Sequence, residues 1–357
     1  MEKDVYRKLQ EQLDMYSVGF PATKSGVEIK ILKKLFSEED ASIFTSLTPM
    51  LETPQAISEK IGKPLDWTRE KLKDMAGRGL LFSKTGQNET KYGAIAFVHG
   101  VFEFQVKRMD RELAELMDEY GQKGFGFSMI KSAASFLRTI PVNQSVDVQH
   151  KVASFDDACD ILKTKKLIVV TDCICRKQRG LTQEGCGKVM EACFMFGSMA
   201  QYYLDHHMGR QINYEDALKI MKDAQEEGLV TQPATSQNPA GMCNCCGDCC
   251  GVLKSVNAHP KPAQIVFSNH YASLDISLCT GCEVCVDRCQ MHALKMSDDG
   301  LASLNPDRCI GCGLCVTTCP SGALSLLPKS EEKQSVPPAT SMDQMIEMAK
   351  KRGVLPA

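Results

Sequence analysis

Nine cysteines in two stretches of this chain could together build a metal site. "TDCICR" supplies Cys173 and Cys175, "EGCGK" supplies Cys186, and "EACFMFG" supplies Cys193. Further on, "CNCCGDCC" supplies Cys243, Cys245, Cys246, Cys249 and Cys250. Thiolates are ligands for zinc and for iron–sulfur clusters. Four of them complete a tetrahedral zinc shell or one cubane, and nine exceed the need of either. Zinc sites seldom use adjacent cysteine pairs, so iron–sulfur chemistry is favoured, with zinc as the alternative and buried free thiols as the third reading. Two more stretches, "CTGCEVCVDRC" at 279–289 and "CIGCGLCVTTC" at 309–319, share the spacing C-x2-C-x2-C-x3-C. The repeat continues as "HALKM" against "GALSL". Gly281 and Gly311 permit the tight turns that let closely spaced thiols face one point. Cys159 stands apart, beside Ile161 and Leu162, and reads as a small buried hydrophobe.

The doubled motif resembles the two-cluster bacterial-type ferredoxin over about 60 residues. In that family the fourth cysteine of each motif ligates the other cluster. The resemblance therefore implies one [4Fe–4S] cluster on Cys279, Cys282, Cys285 and Cys319. It implies a second on Cys309, Cys312, Cys315 and Cys289. The family has proline after the fourth cysteine; Pro320 fits, but Gln290 stands at the other position. Gln290 restores a backbone N–H, for which a hydrogen bond to sulfur and a raised cluster potential are expected. The larger order of "TDCICR", "CNCCGDCC" and a two-cluster tail resembles large 4Fe–4S ferredoxin-type proteins of anaerobic bacteria and archaea. The "CCG" triplets at 245–247 and 249–251 resemble cysteine-rich domains of heterodisulfide-reductase-type subunits, without their long spacing.

The elements that must position these thiols divide the chain into four. The fold class expected is α+β multidomain. Residues 1–105 read as a winged-helix-like domain: capped helices opening at Ser37 and Thr53, a helix over about 66–78, then two β-like runs around a Gly/Asn turn. Residues 106–262 read as a linker helix, with Met109, Leu113, Leu116 and Tyr120 on one stripe, and a small α/β cysteine-rich domain. There a helix capped by Ser154 leads to the strand "LIVV", followed by a helix over about 188–208 and another from Asn213 to Gly228. Residues 263–328 form the ferredoxin-like two-cluster domain. Residues 329–357 read as linker and a terminal helix, whose Met342, Met345, Ile346 and Met348 could dock on a partner.

The 357 residues carry a net charge of -2 and 43% hydrophobic residues, which gives no bias toward nucleic acid or membrane. No apolar run reaches bilayer-spanning length, and the charged N-terminus is no secretory signal. The expected location is cytoplasmic, where thiols stay reduced and the 18 cysteines read as ligands. In helix 66–78, Arg69, Lys71, Lys73 and Arg78 are offset by Asp66, Glu70 and Asp74, so nucleic acid is not the expected partner. Arg176, Lys177 and Arg179 follow "TDCIC" and read either as a solvated turn or as charge favouring a reduced cluster. His206 and His207 read as helix-end residues rather than ligands. No dinucleotide, phosphate-loop or nucleophile-elbow pattern is present. The function expected is iron–sulfur electron transfer through two ferredoxin-type clusters and one or two central ones. The chain would then be a subunit of an anaerobic oxidoreductase system with redox partner proteins, rather than a self-contained enzyme. The alternatives are a redox-sensing winged-helix DNA-binding regulator and a disulfide-type reductase with a catalytic central cluster.

Overall fold

The computed structural model describes residues 4–142, 153–182 and 184–355. The N-terminal part is helical: α1 (Val5–Asp14), α2 (Val27–Leu35), α3 (Glu38–Thr45), α4 (Pro54–Ile61) and α5 (Leu65–Gly77). Local sequence dictates these ends. Ser37 and Asp40 form a capping box on α3, and Thr53 caps α4 with Pro54 in its first turn. The hairpin β1 (Phe82–Thr85) and β2 (Thr90–Gly93) follows, antiparallel, with Phe82 opposite Gly93. Next come α6 (Arg111–Tyr120) and α7 (Gly126–Phe136). The apolar face of α6 buries Leu113, Met117 and Tyr120. Tyr120 donates from its hydroxyl to the Pro21 carbonyl, tying α6 to the N-terminal helices.

The middle of the chain is built on one antiparallel sheet. After α8 (Ala158–Lys163), β3 (Ile168–Asp172) leads into α9 (Ile174–Leu181), β4 (Glu191–Phe196) and α10 (Gly197–Asp205). Then follow β5 (Arg210–Ile212), α11 (Tyr214–Glu226), β6 (Val230–Pro233), β7 (Gly241–Cys245) and α12 (Gly251–Ala258). The strand order is β5-β3-β4-β7-β6. Two sequence expectations differ here. The helix expected over 188–208 is a strand, β4, followed by the shorter α10. A run buried on both faces has no alternation to distinguish it from a buried helix. The cap of α8 is Asp157, which accepts from the backbone N–H of Cys159 and Asp160, and Ser154 lies in a preceding 3-10 turn.

Alternate residues of β4 serve two cores. Phe194 and Phe196 join Ile168, Val170 and Met221 under the α8/α11 face. Cys193 and Met195 face the other way, into the large core shared with the N-terminal helices. Tyr202 of α10 donates to the carbonyls of Ala76 and Leu81, fixing the sheet against α5 and the hairpin.

The last part pairs β8 (His270–Leu274) with β11 (Leu324–Pro328), and β9 (Leu294–Met296) with β10 (Ala302–Leu304), around α13 (Val284–Arg288). Helix α14 (Ser341–Lys351) returns to pack on α7. Gln344 donates to the Ser135 and Phe136 carbonyls, and Arg352 pairs with Asp14 at 3.0 Å. Met348 is thus buried within this chain, while Met342, Met345 and Ile346 remain exposed. Among the described residues no helix is long and apolar enough to cross a membrane.

Candidate metal centres

The eight cysteines of the doubled motif line two separate small cavities. One is bounded by Cys279, Cys282, Cys285 and Cys319, the other by Cys289, Cys309, Cys312 and Cys315, each about 20 Å³. Gly281 and Gly311 make the turns with φ of +69° and +70°. A Cβ on Gly311 would lie 2.1 Å from the His270 carbonyl oxygen, so only glycine fits. Backbone N–H groups of Ala272, Ala293 and Ala302 donate to the sulfurs of Cys309, Cys289 and Cys279. Burial pushes the Cys312 thiol up to about 12, so a buried thiol here releases its proton only to a cation that replaces it.

The nine central cysteines separate into two groups. Six close a ring. Cys173 neighbours Cys175 and Cys193, Cys243 neighbours Cys193 and Cys245, and Cys250 neighbours Cys175 and Cys245. Sheet register builds half of it, because Cys193 on β4 lies directly opposite Cys243 on β7. Cys243 and Cys245 are two residues apart on a strand and so share a face. Cys173 and Cys175 sit at the β3–α9 junction, and Cys250 is the N-cap residue of α12. The thiols alternate around the ring. Those of Cys173, Cys243 and Cys250 are held well below the ordinary range by the two thiols beside each. Those of Cys175, Cys193 and Cys245 are pushed well above it.

The other three, Cys186, Cys246 and Cys249, place their sulfurs within 4.8 Å of one another. The adjacent pairs in "CNCCGDCC" are divided between the groups. The outer members Cys245 and Cys250 belong to the ring, and the inner members Cys246 and Cys249 to the trio. Successive residues at the end of a strand point to opposite faces, which separates Cys245 from Cys246. The hydrogen bond from Cys249 holds the Cys246 thiol down to about 6 against its burial.

Arg176 lies where both groups feel it. It is buried, donates one N–H to the Asn244 carbonyl at 3.0 Å, and leaves Nε and Nη2 buried without a partner. Cys173, Cys193, Cys245 and Cys246 all favour its charge. Two orphaned cationic donors beside nine thiols fit an anionic, sulfur-rich occupant. Arg179 is also buried, paired with Asp118 at 2.9 Å and with Glu184. The solvated-turn reading of these two arginines is therefore corrected.

Two groups escaped the sequence. His99 lies beside Cys243 and 4.0 Å from Glu103. Burial opposes its charge, but Glu103 and Cys243 together push its pKa up to about 9. Burial pushes Glu103 up to about 7. A lone histidine in "FVHGV", far from any cysteine in sequence, gives no signal. Cys159 packs against the core beneath the sheet, away from both groups. His206 stacks beside Tyr202 and meets Ser83 at 3.1 Å.

Gln290 has a role the sequence did not indicate. Its side-chain oxygen accepts from the Gly247 N–H at 2.7 Å, between Cys246 and Cys249. Asn257 donates to its carbonyl, and Arg308 donates to the Asn257 carbonyl at 3.0 Å. Arg288 donates to the Gln225 and Glu226 carbonyls, each at 2.5 Å. The residue next to Cys289 is thus stapled to the loop of the trio.

Residues 278–323 match the family of the 4Fe-4S dicluster domain. No curated protein and no solved structure matches the chain. The chain carries a ferredoxin-type 4Fe-4S dicluster domain, preceded by a second cysteine-rich region with a potential three-thiol metal site.

Proposed function

We propose that this is an iron–sulfur electron-transfer protein. Its two ferredoxin-type cavities, the three-thiol group and the six-thiol ring form one series of redox sites. The observation that carries this reading is the Gln290–Gly247 hydrogen bond, which joins the chain beside Cys289 to the chain between Cys246 and Cys249. Bound clusters supply one-electron chemistry at low potential. The four thiols of each C-terminal cavity fit one [4Fe–4S] cluster, in the pairings given above. The nine central thiols, with the orphaned donors of Arg176, fit further iron–sulfur centres better than zinc. Cys289, Ala293 and Gln290 fix the near edge of the dicluster domain against the trio. Arg176 places positive charge between trio and ring, where it favours the more negative, reduced state.

We read the N-terminal helices and hairpin as a winged-helix-like module and assign them to docking within an oxidoreductase assembly rather than to DNA. Three of the four cations of the 66–78 segment, all but Lys73, are paired within the chain. Arg78 pairs with Asp40 and Asp74, Lys71 with Glu39 and Asp40, and Arg69 with Asp66. An anaerobic setting and redox partner proteins belong to the same proposal. EPR of the dithionite-reduced protein tests it. Spins per chain should exceed those of a Cys246→Ala/Cys249→Ala variant, whose dicluster signals stay unchanged. Equal spin counts would defeat the central part of the series.

A further inference from the structure

The six-thiol ring is one wall of a cavity of about 420 Å³, which runs outward between α7 and α12. The two four-thiol cavities of the dicluster domain measure about 20 Å³ each, so by the same measure the central space is about twenty times larger than either. The excess lies where there are no thiols. Its walls are Phe102, Phe125, Met129, Ile130, Phe136 and Val252, a largely apolar surface. The volume lies in the range of small-molecule sites, which are mostly apolar with a few convergent polar groups.

The charged groups deeper in the wall are already paired, and Lys254 stands at the open end. Glu103 faces His99, Arg179 binds Asp118 at 2.9 Å, and Asp172 lies 3.8 Å from Lys107. An ionic ligand seated deep in the chamber would therefore be buried without a counter-charge, which is costly. The exposed Phe127 and Lys254 contribute to the more open end of the lining.

We propose that this cavity is a binding chamber for a small, uncharged, largely apolar organic molecule, seated against the six-thiol site. The inference rests on the iron–sulfur reading only for what forms the inner wall. The chamber itself is a property of the chain. It makes the ring the end of the series, where a molecule from solution meets it, rather than a further enclosed relay.

Indole is a suitable probe, tested on the full-length, anaerobically loaded protein by equilibrium dialysis and by EPR of the reduced state. Expected are saturable binding of about one indole per chain and a changed central EPR signal with unchanged dicluster signals. Ile130→Trp and Ser255→Trp, which fill the chamber away from the thiols, should each weaken binding at least tenfold while iron content stays at the wild-type value. Absence of saturable binding, or binding that both variants leave unaltered, would overturn the chamber. Binding with an unaltered central signal would overturn its contact with the ring. An iron content confined to the dicluster domain would remove the central cluster and leave the dialysis result to decide the chamber.

Discussion

The dicluster domain and the central cysteine region use the same ligand in opposite ways. In the dicluster domain each cavity has four thiols, close backbone N–H donors and almost no spare volume. In the centre six thiols ring one end of a large cavity, with His99 and Glu103 in its wall and two orphaned donors of Arg176 nearby. The first arrangement suits one cluster held by four fixed ligands. The second has thiols to spare, fixed charge and open space. The difference separates a site built to pass electrons from one that can also meet another molecule.

The sharpest way to break this contrast is to remove one thiol from each. Cys285→Ala leaves three ligands in a four-thiol cavity and should lose about four irons per chain. Cys243→Ala leaves five thiols in the ring and should keep its iron while shifting the central EPR signal. Equal iron losses would show that the ring has no spare ligands.

Charge provides the next test. Arg176→Met removes the buried cation from between trio and ring. The central midpoint potentials should fall by on the order of 60 mV, the equivalent of a tenfold change in a one-electron equilibrium. The dicluster potentials should hold in the same titration. A uniform fall in all signals would assign Arg176 to the general field of the protein.

The junction between the regions gives a smaller effect. Gln290→Pro restores the ferredoxin pattern and strands the Gly247 N–H. Chemical denaturation should show a loss of about 0.5–1.5 kcal/mol, the net worth of one hydrogen bond to a half-buried donor. Unchanged stability would mean that the staple contributes nothing.

The smallest effect lies outside both regions and checks that acid lability belongs to the scaffold. Burial disfavours the Asp40 carboxylate, but Arg78, Lys71 and the Ser37 cap outweigh it and hold its pKa far below the ordinary value. Because the folded value is depressed, its contribution is complete above about pH 4 and is lost as pH falls further. Asp40→Asn should therefore lower the melting temperature at pH 7, and the gap to the wild type should narrow below pH 4. A gap independent of pH would exclude the ion pairs as its source.

The dicluster site was legible because all its ligands lie within 41 residues and the doubled spacing is itself the geometry. Helix caps at Ser37 and Thr53 were legible for the same local reason. The central site was not, because it depends on register. Cys193 meets Cys243 only across the β4–β7 ladder, and β4 is buried on both faces, so its residues carry no strand period. The spacing of Cys243 and Cys245 was the available hint that two thiols share a strand face. His99 and Gln290 reach their partners through tertiary packing, which no spacing encodes. The terminal helix was legible as a helix, but its docking on α7 of the same chain was not.

The proposal stands or falls on whether thiols outside the dicluster domain also hold iron. Iron, acid-labile sulfide and zinc per chain, measured on anaerobically loaded protein, test it most directly. The account predicts about sixteen irons with matching sulfide and no stoichiometric zinc. About eight irons, with or without one zinc, would contradict it.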